Sequence, residues 1–580
     1  MSNIKNFELV DESQAEVVDR MFRTLLAEAT SSMSPVDVGL ATMDWITHLA
    51  ISPGRRILLA QSLLNKLRQL GVYSIESLLR ENAEGPASTI ERRMSGEAWQ
   101  KWPFKVFAQA HQTSKDWWQE ATTGIDGVRP EHEVMVNSIA MQILDMVSPA
   151  NAMITNPEVL KASYREKGKN LARGLRFMVQ DQVRDALNTG VAENEEFVVG
   201  ENLAVTPGKV VFQNDLIELI QYRPATDKVN AEPVLITPAW IMKYYILDLS
   251  PKNSLVKYLT EQGKTVFIIS WKNPGKEDKE VSFEDYVHQG QMAAVDAVSA
   301  ICPKRKIHSV GYCIGGTLAS IAAATMARDD DDRLASLSLF AAQTDFSEAG
   351  EITRFISPSQ LSYLEKIMHK RGFLGSENMG GAFSSLRASD LVYASIVDRY
   401  LMGNTAKPND LMSWNADGTR MPYRMHHEYL EQLYLNNRLS QSKFLVDGRP
   451  ISMSDIRVPM FVLGTETDHV APWHSVYKIH QLTQCELTFA LTSGGHNAGV
   501  VSGPVHPRRR HRVATRMPGA KYVGPDNWIE NNSVQDGSWW PTWDAWLEER
   551  TSKKVNPPTM GNSRKGYKAL RDAPGEYVFG

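Results

Sequence analysis

Val310-Gly311-Tyr312-Cys313-Ile314-Gly315-Gly316-Thr317 decides the reading of this chain. An apolar run beginning at Ile307 leads into it, and a run rich in small residues ending at Ala327 leads out. The pattern predicts a strand, a sharp Gly-x-Cys-x-Gly turn and a helix, a nucleophile elbow with cysteine where serine usually stands. Glycines suit such a turn because it leaves no room for Cβ atoms beside the nucleophile. A helix N-terminus behind Cys313 favours a thiolate, and its free N–H groups favour an oxyanion. The competing reading is a buried cysteine in a glycine-rich turn. The choice depends on whether the chain supplies partners for the thiol.

Two later strand ends supply them. The apolar run from Met460 to Leu463 ends in Gly464-Thr465-Glu466-Thr467-Asp468-His469. The run from Glu486 to Leu491 ends in Ser493-Gly494-Gly495-His496-Asn497-Ala498-Gly499. In parallel sheets, chemistry collects at the carboxyl ends of the strands. Cys313, Asp468 and His496 follow in the order nucleophile, acid, base, as in the triads of α/β-hydrolases. A single Asp or His in a loop is usually a cap or a solvated group. Three at the right strand ends form a catalytic set.

Outward from these residues, the chain reads as two domains, the expectation for 580 residues. Residues 1–195 carry helical spacings such as Val17-Met21-Leu25 and Leu59-Leu63-Leu67, with Trp99, Trp102, Trp117 and Trp118 as bulky anchors. From 196 to 551 short strands, beginning with Glu196-Phe197-Val198-Val199, and then apolar strands alternate with helices, which predicts a mostly parallel sheet. A helical insertion at about 345–440 reads as a lid over the site. Residues 552–580, rich in Lys, Pro and Gly, read as a loosely held tail. A net charge of -4 gives no basic field for nucleic acid. Three cysteines are too few for a disulfide framework and lack metal-like spacing, so no metal and a reducing cytosol are expected. The polar, acidic start is no secretory signal, and no apolar run reaches the roughly 18 residues of a membrane span.

Gly311-Tyr312-Cys313-Ile314-Gly315-Gly316 also resembles the lipase-like box of the polyhydroxyalkanoate synthases. So do Asn202-Leu203-Ala204-Val205-Thr206-Pro207-Gly208, Lys243-Tyr244-Tyr245-Ile246-Leu247-Asp248-Leu249, Trp414-Asn415-Ala416-Asp417 and Gly537-Ser538-Trp539-Trp540-Pro541. The chain is most similar to the single-subunit synthases with a long N-terminal domain. The resemblance implies an α/β-hydrolase fold with a lid insertion, preceded by a mostly helical domain. It implies Cys313 as the acylated nucleophile, His496 as its base and Asp468 as the third member. It further implies an (R)-3-hydroxyacyl-coenzyme A substrate, a growing polyester chain at a cytoplasmic granule surface, a homodimer and phasin-like granule partners. No cofactor is implied, because coenzyme A is part of the substrate and a product.

The backbone N–H groups of Ile314 and Ile241 are the expected oxyanion donors. Arg387 and His469 are candidate coenzyme A contacts. Trp240, Met242 and Asn497 depart from the family pattern, Asn497 replacing the apolar residue common after the histidine. The Arg508–Arg512 cluster reads as a solvated loop, Cys302 and Cys485 as inert buried thiols, and Trp539, Trp540, Trp543 and Trp546 as core anchors of a terminal helix. Two rival functions stand beside polymerisation. One is a thioesterase with water as acceptor. The other is a non-catalytic granule-associated protein.

Overall fold

The computed structural model describes residues 34–80, 85, 87, 89–186, 196–376, 378–379, 392–405 and 408–580. The chain divides into two compact units, one of Met1–Glu193 with Gly380–Lys407 and one of Asn194–Met379 with Pro408–Gly580.

In the first unit, α1 (Pro35–Ala50), α2 (Pro53–Leu79), α3 (Phe104–Thr122), α4 (Pro130–Met146), α5 (Pro157–Arg165) and α6 (Lys169–Ala186) are all helical, as their spacing predicts. Tryptophans tie the bundle together through their polar edge. Trp45 Nε1 donates to Ala121 O at 2.9 Å and Trp117 Nε1 to Leu59 O at 3.1 Å. A small core gathers Met94, Trp99, Ala108 and Ala150. The segment Val17-Met21-Leu25 lies outside the described residues.

The second unit is built on one sheet of eleven strands. They are β1 (Gly208–Gln213), β2 (Ile217–Tyr222), β3 (Val234–Thr237), β4 (Val266–Trp271), β5 (Ile307–Tyr312), β6 (Leu334–Phe340), β7 (Met460–Thr465), β8 (Leu487–Thr492), β9 (Arg510–Arg516), β10 (Gln535–Asp536) and β11 (Arg571–Asp572). Their order across the sheet is β10-β9-β8-β7-β6-β5-β3-β4-β2-β1-β11. The central pairs from β4 to β8 are parallel and the flanking pairs antiparallel. Strands β3, β4, β5, β7 and β8 are buried at every position. That is why β3, β4 and β7 read as near-continuous apolar runs rather than alternating ones. The helix after β5, α7 (Ile314–Arg328), is buried along almost its whole length, and small residues let it lie close to the sheet.

Three expectations change. Glu196–Val199 form a turn and not a strand, because Asn202 bonds both Val198 N and Glu196 O and folds the segment back. The arginine cluster is a solvated loop only in part, with Arg508 in an exposed turn. Arg510–Arg516 is β9, whose Arg510 and Arg512 pair with Glu466. Residues 552–580 are not loose. Arg571–Asp572 add β11 to the sheet edge, and the fully buried Glu218 carboxylate takes N–H bonds from Glu576 at 2.8 Å and Tyr577 at 2.9 Å. The insertion is helical over Pro358–Arg371, Asp410–Ala416 and Tyr423–Leu435, yet its 380–407 stretch groups with the first unit. The terminal tryptophans are buried as expected, on α8 (Trp540–Glu548) and its cap. Among the described residues no helix is long and apolar enough to cross a membrane.

Candidate active site

The elbow forms as the glycines require. Cys313 sits at φ 54°, ψ -129° between β5 and α7, a backbone conformation that side chains resist. A Cβ at Gly315 would collide with the carbonyl oxygen of Thr237, so only glycine lets α7 start against the end of β3. Cys313 N–H bonds to Phe340 O at 2.9 Å, which locks the bend to β6.

Asp468 follows β7 and is held by four bonds. Its Oδ1 accepts from Val470 N and Ala471 N, each at 2.9 Å. Its Oδ2 accepts from Thr465 Oγ1 at 2.9 Å and pairs with His496 Nδ1 at 2.8 Å. The carboxylate side chain has no exposed surface. His496 opens the short helix after β8, and its imidazole lies close enough to the Cys313 sulfur to feel its charge. With Nδ1 taken by Asp468, Nε2 is the ring atom left for the sulfur. Asp468 and His496 are thus joined by a hydrogen bond, with the Cys313 sulfur beside the imidazole.

The charges follow. Burial opposes a charge on His496, but the Asp468 carboxylate and the Cys313 sulfur outweigh it and hold the imidazole well above its ordinary value. Burial pushes the Asp468 carboxyl up, yet the His496 charge and the bonds from His496, Ala471 and Val470 bring it below the usual range. By contrast, burial pushes the Cys302 thiol up to about 12, and raises Cys485 too, which leaves both unreactive.

The first N–H groups of α7, beginning at Ile314, have no acceptor within the helix. Ile241 lies in the loop after β3. Three carbonyls of this loop are tied down. Trp271 Nε1 donates to Pro238 O at 2.9 Å, Thr419 Oγ1 to Trp240 O at 2.5 Å, and Thr419 N to Ile241 O at 3.3 Å. Trp240 is 2% exposed and packs against Trp271, Phe283 and Tyr286. Met242 bridges to Gly418 of the insertion. His469 is half-buried beside Asp468, and its carbonyl accepts from Glu351 N at 3.3 Å. Arg387 lies outside the described residues.

The spacing of the motifs gives no sign of three further features. In the insertion, the buried Tyr429 and the half-buried Tyr434 lie near enough to feel the Cys313 charge, and their hydroxyls meet at 3.4 Å. A cavity of about 900 Å³ is lined by Tyr434, Phe346, Asn437 and His474. In the first unit, Glu91, His111 and Asp145 cluster in a metal-like way, but Arg93 and Lys115 already pair with the two carboxylates.

Comparison with known proteins adds the following. Residues 90–259 match the model described as the poly-beta-hydroxybutyrate polymerase (PhaC) N-terminus, 13–55 a second model for the N-terminal part of that polymerase, and 232–502 the alpha/beta hydrolase fold. The poly(3-hydroxyalkanoate) polymerase subunit PhaC of Rhizobium meliloti is 34% identical, over 95% of this chain and 90% of that one. The corresponding subunit of Cupriavidus necator is also 34% identical, over 93% of this chain and 91% of that one. Among solved structures, the monoacylglycerol lipase of Paleococcus ferrophilus is 12% identical, covering 58% of this chain and 99% of that one, with a TM-score of 0.33.

Proposed function

The chain belongs to the poly(3-hydroxyalkanoate) polymerase family, and on that premise we propose that it polymerises (R)-3-hydroxyacyl-coenzyme A through an acyl group carried on Cys313. The observation that carries this reading is the hydrogen bond from His496 to the buried Asp468 carboxylate, with the Cys313 sulfur beside the imidazole.

His496 Nε2 takes the thiol proton, and the sulfur attacks the thioester carbonyl. The Ile314 and Ile241 N–H groups hold the oxyanion, each such donor being worth about 3 kcal/mol. Coenzyme A leaves with the proton from the imidazolium. One thioester has replaced another, so the acyl group stays activated. The 3-hydroxyl of the next hydroxyacyl-coenzyme A then attacks the Cys313 thioester and gives its proton to His496. The ester forms, the sulfur is released and reprotonated, and the lengthened chain returns to Cys313 by the first reaction.

His496 serves both steps in this reading. Each Asp468 oxygen already accepts two hydrogen bonds and the carboxylate is sealed from solvent, so it has no lone pair to offer a substrate hydroxyl. It orients the imidazole and stabilises its charged form. Tyr429 and Tyr434 suit the exclusion of water, which would otherwise hydrolyse the acyl-enzyme. Apolar side chains exposed on α1 and α2, such as Leu40 and Leu64, support contact with a polyester surface or a second copy of the chain.

The test feeds (R)-3-hydroxybutyryl-coenzyme A to the full chain and follows coenzyme A release and product. Insoluble polyester that disappears in Cys313→Ala supports the reading. Free hydroxy acid as the product points to a thioesterase, and turnover that persists in Cys313→Ala overturns the role of the thiol.

A further inference from the structure

Each of the two reacting side chains has an immediate neighbour in the sequence that reaches across the site to the other's neighbour. Tyr312 precedes Cys313, and Asn497 follows His496. The Tyr312 hydroxyl donates to Asn497 Oδ1 at 2.6 Å. The Tyr312 ring also lies against the His496 imidazole, with centroids 5.6 Å apart and planes at 33°. Tyr312 is 1% exposed, at the end of a strand bonded on both sides, so its ring is a fixed wall and not a mobile cover.

We propose that Tyr312 and Asn497 form a cross-site tie that positions His496 over the Cys313 sulfur. The β5 elbow and the loop after β8 are separate segments, and β6 and β7 stand between their strands in the sheet. Strand pairing therefore leaves the separation of thiol and imidazole to the loops. The tie closes that gap with a bond from the residue before the nucleophile to the residue after the base. It acts on the imidazole in two ways. The phenol ring blocks one face, which prevents the imidazole from swinging away from Asp468. The hydroxyl bond fixes the backbone that carries the imidazole. Burial and the nearby Cys313 and Asp468 charges hold the Tyr312 hydroxyl far above its ordinary titration range, so it stays a donor throughout the working pH. Tyr312 and Asn497 are positioning residues that act through His496, an account that rests on the triad reading above.

The test compares Tyr312→Phe, Asn497→Leu and the double variant in the full chain. It reads kcat, KM and the rate at which iodoacetamide alkylates Cys313 at neutral pH. The tie predicts that each single change lowers kcat about tenfold, the scale of one lost hydrogen bond. KM stays within about twofold, because the loss falls on the chemical step. Alkylation slows with kcat, since the sulfur loses its imidazole partner. The double variant is no worse than either single one, because both remove the same bond. It also replaces the polar pair with an apolar one, which preserves packing if a single change unfolds the site. Wild-type kcat and alkylation in the double variant would overturn the tie. So would lower kcat with faster alkylation, the mark of a loosened pocket. An inert Cys313→Ala beside a fully active Tyr312→Phe overturns this proposal alone, whereas turnover by Cys313→Ala overturns the triad reading itself.

Discussion

The strands that carry the site and the helices of the first unit treat their apolar residues in opposite ways. Every residue of β5, β7 and β8 is buried. Helix α2 leaves Ile57, Leu58, Leu64, Leu67 and Leu78 more than half exposed. A sheet packed on both faces holds its strand ends in fixed places, which is what a three-residue relay demands. A helix that keeps much of its apolar stripe in the open has surface left for something outside itself. One region buries its apolar side chains around fixed strand ends; the other leaves many of them uncovered.

The largest effect that could break this comparison is on the relay itself. Cys313→Ala should abolish polymer formation with the fold intact, read as coenzyme A release together with circular dichroism. Activity surviving there would place the chemistry elsewhere. Next, Asp468→Asn should cost about 10³- to 10⁴-fold in kcat, because the imidazole loses the acceptor that sets its tautomer. Stability sharpens the contrast further. Leu463→Ala in the middle of β7 should cost about 2–5 kcal/mol in urea unfolding, whereas Leu67→Ala on α2 should stay within about 0.5 kcal/mol. Equal costs would mean that α2 is as buried as the sheet.

The smallest effect is acidic. Burial holds His308 down to about 4, and His426 and His480 down to about 3. The unfolded chain would take up protons at all three near pH 6.5, the ordinary value for histidine. Their neutral burial therefore stabilises the fold fully above that pH and is lost as the pH falls towards 4 and 3. Thermal melts between pH 7 and pH 4 should show the second unit losing stability steadily on acidification. His308→Gln should flatten the part of that slope between about pH 6.5 and 4.

Much of this could be read from the residues, for a physical reason in each case. Strands β3, β4 and β7 announce themselves because burial on both faces favours near-continuous apolar runs. The proposed relay could be read from the sequence because Cys313, Asp468 and His496 each follow a strand. What escaped depends on partners far away in the chain. Arg510–Arg516 carries charge near the sheet edge, and only its pairing with β8 and Glu466 makes it a strand. The 552–580 stretch has no periodicity, and its order comes from Glu218, together with Lys243 and Asn273, which both bond Gly580 O. Asn497 stands out in the sequence as a departure, but its partner Tyr312 is visible only in three dimensions. The terminal tryptophans read as anchors. What the sequence does not show is where their indole N–H groups go: Trp539 and Trp540 bond Gly499 O and Val500 O, beside the base.

The bend at Cys313 has one more consequence. A residue with a side chain held at φ 54° works against its own backbone, by about 1–3 kcal/mol. Glycine there would relax the turn while deleting the sulfur. The dead enzyme should therefore outlast the living one on heating, and a screen for heat tolerance alone would select against catalysis at this position.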